Sequence, residues 1–164
     1  MTKVIFLDFD GVLLSDGMAL VQSEAGLTHD NYLNRVEFDG DCVANLNRLL
    51  DSSGAQIVLS TSWAQGNSFS SLSNCLLRNG IDSSLVWESD DPSEGSYMTP
   101  RNQGNHRGFE IAEWIDQHPE ITVWCAIDDQ PSISVLGKHA VITDPARGFD
   151  KAALRKAQQL LMSH

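Results

Sequence analysis

At 164 residues the chain is long enough to bury a single core of common domain size, and 41% hydrophobic content with only five prolines excludes a disordered polymer. A formal charge of −11 at pH 7 opposes any extended nucleic-acid or anionic-membrane surface, both of which need clustered Lys and Arg, but not one phosphate site where a metal ion and a basic group dominate locally. No apolar stretch has the length of a membrane span, and the first residues lack a signal peptide's basic start and long apolar centre.

Taken in chain order, the first element is Val4-Ile5-Phe6-Leu7, an uninterrupted apolar run that stops at Asp8-Phe9-Asp10-Gly11-Val12-Leu13. Such a run is the pattern of a strand buried on both faces of a parallel sheet, and ligands bind at the carboxyl ends of such strands. Two carboxylates facing one small space there repel each other unless a cation lies between them or one holds a proton. Residues 14–38 show no sustained period and are expected to form a long flap with one short helical piece. Val43, Leu46, Leu49 and Leu50 recur at helical spacing, with Gly54 as the stop. Ile57-Val58-Leu59 predicts a second buried strand running into Ser60-Thr61-Ser62-Trp63, and Phe69, Leu72, Cys75 and Leu76 mark a helix ending before Gly80.

Leu85-Val86-Trp87 is short enough for one brief strand, and 88–105, acidic and then polar with two prolines and two glycines, is expected to be a long loop. Phe109, Ile111, Trp114 and Ile115 give an amphipathic helix stopped by Pro119. Ile121 to Ile127 is a third strong strand closing on Asp128-Asp129, His139 to Ile142 a short one, and Ala152 to Met162 a final helix. Alternating strands and helices imply an α/β fold with a doubly wound, mostly parallel sheet. The whole of 1–164 is taken as one catalytic domain, with neither loop long enough for a large cap. Cys42, Cys75 and Cys125, odd in number and each in an apolar-rich element, are expected to be buried thiols, a usage that fits a cytoplasmic setting.

The segment Asp8-Phe9-Asp10-Gly11-Val12-Leu13 resembles the first motif of the haloacid dehalogenase (HAD) superfamily, and three further segments resemble its other motifs in order. Leu59-Ser60-Thr61-Ser62-Trp63 is similar to the second motif of small capless HAD domains that also occur in RNA-repair proteins. The third motif, normally a Lys, falls on Arg107 in Arg107-Gly108-Phe109-Glu110-Ile111-Ala112-Glu113-Trp114-Ile115, with Arg101, Lys138 and His106 as competitors. The fourth is Ala126-Ile127-Asp128-Asp129-Gln130-Pro131. Asp144, before Pro145, is read as a turn former.

The resemblance implies a HAD-like Rossmannoid phosphatase in which Asp8 is the nucleophile and Asp10 the general acid/base. Thr61, with Ser60 as second choice, and Arg107 hold the phosphoryl oxygens. The main chain after Asp8, including Phe9, together with Ser62 and Trp63, contributes to substrate binding. Mg²⁺ is held by Asp8 and Asp129, the choice for the direct ligand of the pair, with Asp128 binding through water or orienting its neighbours and Asp10 adding its main-chain carbonyl. Asp10 argues against a dehalogenase, which in this superfamily lacks the second aspartate. A receiver domain is disfavoured because its acidic pair precedes the phosphorylated Asp. A phosphotransferase, a nucleic-acid-end phosphatase and a non-enzymatic phosphate-binding module are the other readings. The expected partner is a phosphorylated small molecule or polynucleotide end, met by a monomer.

Overall fold

The computed structural model describes residues 1–27, 32–87, 97–101 and 103–162. Four strands form one sheet in the order β2-β1-β3-β4, with β1 at Lys3–Leu7, β2 at Gln56–Leu59, β3 at Val123–Asp128 and β4 at Ala140–Ile142. Every pairing is parallel, so the expected mostly parallel sheet is wholly parallel among the described residues. Val4, Ile5, Phe6 and Leu7 of the inner strand are fully buried, which is why the sequence shows no alternation there.

The two faces of the sheet are covered by different helices. Ile5, Leu7, Ile57, Leu59, Cys125 and Ile127 point to one side, where they join Leu46 and Leu49 of α3 (Gly40–Ser53), Leu72 and Leu76 of α4 (Phe69–Arg78), and Leu154, Ala157 and Leu161 of α6 (Lys151–Met162). Val4, Phe6, Val58 and Ala126 point to the other, against Ile111 and Trp114 of α5 (Arg107–Gln117) and Ile133. Trp114 meets Phe6 edge-on with ring centroids 5.3 Å apart, a favoured aromatic geometry. Cys42, Cys75 and Cys125 are buried and unbridged, and burial pushes the Cys125 thiol up to about 12. No helix among the described residues is long and apolar enough to cross a membrane.

Three elements depart from the expected pattern. Residues 14–38 hold α1 (Asp16–Glu24) and α2 (Tyr32–Arg35) rather than one short helical piece. The hydroxyl of Ser15 accepts from the Met18 N–H and caps α1, while Ser15 donates from its N–H and hydroxyl to the Asp39 carboxylate at 2.7 and 3.1 Å. The predicted strand over 85–87 is reduced to one bridge, Val86 to Ile57, after a 3₁₀ turn at Ser83–Leu85. Met98 bridges Leu59 farther along the same edge, so the middle of the expected 88–105 loop lies beside β2; 88–96 and 102 fall outside the described residues. A 3₁₀ stretch at Pro131–His139, not anticipated, links β3 to β4.

Candidate active site

The register of the sheet brings the motif residues to one level. Leu7 lies opposite Leu59 on one side and Ile127 on the other, so Asp8, Ser60 and Asp128 all emerge at the carboxyl ends of adjacent strands. Asp8 is 4% exposed and Asp128 only 1%. One carboxylate oxygen from each of Asp8, Asp128 and half-buried Asp129 lies within 4.8 Å of the other two.

Crowding of this kind must be relieved by charge or proton. Burial first, then Asp128, raises the Asp8 carboxyl well above the usual range, with Asp10 adding to the rise; Arg107 and a hydrogen bond from the Phe9 N–H oppose it. Burial likewise pushes Asp128 up to about 6 against the pull of Arg107 and of the Gln130 N–H, which donates to Asp128 Oδ1 at 2.9 Å.

Arg107 is the first residue of α5 and 8% exposed, and its Nε lies 3.1 Å from Asp128 Oδ2. The contact is an ion pair without hydrogen-bond alignment: both atoms are buried and neither has a hydrogen-bond partner among the described residues. The same guanidinium is shared with Glu110 at 3.7 Å, so one cation faces more acids than it can neutralise. Arg107→Gln is expected to cost about 3 kcal/mol of stability at pH 7 in urea unfolding, because it strands buried carboxylates. The cost should shrink at pH 5, where Asp128 carries a proton, and Arg107→Lys should recover part of it.

Asp10 stands apart from this cluster. As a residue it is exposed, and Trp63 Nε1 donates to its Oδ2 at 2.7 Å. Desolvation within the cleft raises its pKa; the Trp63 bond works against the rise, and Asp129 and Asp16 add to it. Asp10 lies in a tight turn in which the Val12, Leu13 and Leu14 N–H groups all point to the Phe9 carbonyl. Gly11 sits there at φ +72°, and a Cβ on it would overlap the Asp129 carboxylate, so the position needs glycine twice over.

The second-motif hydroxyls are both inside. Ser60 donates its N–H to the Leu7 carbonyl at 2.9 Å and its hydroxyl accepts from Thr99 at 3.4 Å. Thr61 is buried and its Oγ1 accepts from the Trp63 N–H at 3.3 Å, capping the 3₁₀ turn Ser62–Ala64 while keeping its own proton free to donate. The Phe9 ring is fully buried against Phe38 and Trp63, which leaves only its main chain at the site. Ser62 and Trp63 line an open cleft of about 640 Å³ together with Asp10, Tyr32, Gln65 and Arg101.

Of the competitors to Arg107, Arg101 belongs to this cleft and donates to Asn105 Oδ1 at 2.7 Å. His106 caps α5 and stacks on Phe109, and Lys138 precedes β4, at the end of the sheet away from the carboxylates. Asp144 closes a turn, its Oδ1 accepting from the Ala146 N–H at 2.9 Å.

The sequence reading did not single out Thr143. Its hydroxyl donates to the Gly11 carbonyl at 2.8 Å and its N–H to the Asp128 carbonyl at 3.0 Å, fastening the first motif to the fourth. Its one signal is a hydroxyl residue just after the last short strand.

A clustered set of hard oxygen donors, short of positive charge and with a buried Asp128 oxygen that no hydrogen bond satisfies, fits a small divalent cation such as Mg²⁺. A family model described as HAD domain in Swiss Army Knife RNA repair proteins matches residues 4–154. No curated protein and no solved structure matches the chain.

Proposed function

Because the chain belongs to the family of HAD domains found in Swiss Army Knife RNA repair proteins, we propose that it is a Mg²⁺-dependent phosphomonoester hydrolase working through a phosphoryl group carried on Asp8. The observation that supports this reading best is the division of labour among the acids. Asp8 is buried beside Asp128, Arg107 and the half-buried Asp129, whereas Asp10, two residues on, faces the cleft under a hydrogen bond from Trp63.

In this mechanism an Asp8 oxygen attacks phosphorus, the bond to the leaving oxygen breaks, and Asp10 gives that oxygen its proton. Asp10, now a carboxylate, takes a proton from water as the water oxygen attacks the same phosphorus, which frees Asp8 and inorganic phosphate. The raised pKa of Asp10 suits a group that must hold a proton before the first step. Arg107, the Thr61 hydroxyl and nearby main-chain N–H groups hold the non-bridging oxygens on which charge develops. Asp8, Asp128 and Asp129, with the Asp10 carbonyl, would hold Mg²⁺. Bound there, the ion offsets the repulsion between carboxylate and phosphate dianion.

A polynucleotide end is the second substrate reading, favoured by the family's description and by a cleft that no cap covers among the described residues. Phosphate release from nucleotides, sugar phosphates and 3′- or 5′-phosphorylated oligonucleotides, with Mg²⁺ and with chelator, tests both. Mg²⁺-dependent release from at least one class is the expected result. No release from any of them, by a folded protein that binds Mg²⁺, contradicts the reading.

A further inference from the structure

In the mechanism above Asp10 transfers a proton twice, yet it is an exposed residue, and a solvent-exposed aspartate samples several rotamers. Productive proton transfer needs the carboxylate within hydrogen-bond reach of the leaving oxygen. One contact limits that freedom, the 2.7 Å bond from Trp63 Nε1 to Asp10 Oδ2 across 53 residues of sequence. An indole N–H only donates, so it marks Oδ2 as an acceptor and leaves Oδ1 for the proton.

Trp63 is itself firmly placed. Its N–H donates to Thr61 Oγ1, and its carbonyl accepts from Asn67 Nδ2 at 2.8 Å. Its ring meets Phe9 at 5.5 Å and Tyr32 at 4.8 Å, both edge-on, with Phe38 at 6.3 Å. Tyr32 comes from α2 of the flap, and α2 is tied to α4 through Arg78, whose Nη2 and Nη1 donate to the Leu33 and Val36 carbonyls at 2.5 and 2.8 Å.

Resting on the reading of Asp10 as the general acid, we propose that Trp63 is its positioning residue, holding the carboxylate so that Oδ1 delivers the proton, and that the flap residue Tyr32 keeps Trp63 in register. The role differs from stacking on a substrate ring, which an aromatic side chain in a cleft would otherwise suggest.

The two roles predict opposite results. The quantity to read is kcat/KM, which covers the steps up to loss of the leaving group. The probes are glycerol phosphate, whose alkoxide needs a proton, and dinitrophenyl phosphate, whose phenolate does not. Trp63→Phe keeps an aromatic ring against Phe9, Tyr32 and Phe38 but removes the donor, and its melting temperature checks the fold. For glycerol phosphate it should lower kcat/KM by about tenfold or more, part of the roughly 10²–10⁴-fold that general acid catalysis supplies. The aryl ester should change by less than about threefold, since its first step needs no acid. Tyr32→Leu should show a smaller split in the same direction.

Equal loss on both substrates, a loss confined to the aryl ester, or no loss on either overturns the proposal. Asp10→Asn is measured beside it. A split in Asp10→Asn that is absent from Trp63→Phe removes this inference alone, whereas no split in Asp10→Asn removes the acid role of Asp10 as well.

Discussion

Asp8→Asn is expected to lower kcat by about 10⁴-fold or more, a loss of roughly 5 kcal/mol in barrier stabilisation, while the fold survives. The amide matches the carboxylate in size but is a poor nucleophile, so every step that depends on an Asp8–phosphorus bond is lost. Stability should move the other way. Asp8 is 4% exposed and held well above the ordinary carboxylate range by burial and then by Asp128, so its charge is a burden on the folded state. Replacing it with a neutral group relieves that burden, and metal-free Asp8→Asn should melt at or above the temperature of the metal-free wild type. Activity within about tenfold of wild type would contradict a covalent role for Asp8.

Mg²⁺ is expected to raise the melting temperature of the wild-type protein and to leave Asp129→Ala unmoved. At a hundredfold excess over Kd the gain is about 2.7 kcal/mol, or roughly 5–10 °C for a chain of this size. The shift should also depend on pH, with a sign fixed by the raised acids. Asp8 and Asp128 hold protons more tightly folded than unfolded, Asp128 up to about 6. From the unfolded carboxylate range near 4 up to these values the folded chain carries the extra protons. Metal-free stability from this source is therefore complete at the bottom of that window and is lost as pH rises through it. Mg²⁺ should then raise the melting temperature more at pH 7 than at pH 5, as thermal melts at the two pH values, with and without chelator, will show. If Asp128→Ala abolishes the shift and Asp129→Ala keeps it, the direct ligand is Asp128.

What the sequence made legible follows from where apolar runs stop. Three of the four strands are apolar runs that close directly on acids or hydroxyls, so Asp8, Ser60-Thr61 and Asp128-Asp129 could be placed before any coordinates. Arg107 could be placed because α5 has a clean amphipathic period behind it.

The flap helix α1 was not legible because it buries no residue: Leu20 and Val21 are each 60% exposed, so no apolar stripe marks it. The 3₁₀ stretch at Pro131–His139 lacks the 3.6-residue period of an α-helix. The Trp63–Asp10 and Thr143–Gly11 bonds join residues 53 and 132 positions apart, and no local pattern encodes such pairs. The sequence marks Trp63 as part of the second motif, but nothing local to it shows that its indole N–H donates to Asp10.

The central claim is that phosphoryl transfer passes through Asp8, and Asp10→Asn offers the most direct view of it. With dinitrophenyl phosphate the leaving group needs no proton, so the first step should proceed, while the second lacks the base that activates water. Rapid mixing with Mg²⁺ should therefore give a burst of dinitrophenolate equal to the enzyme concentration. Peptide mass spectrometry after acid quench should find phosphate on Asp8, and Asp8→Asn in the same background should show neither. Steady turnover without a burst, or phosphate on any other residue, would contradict the account.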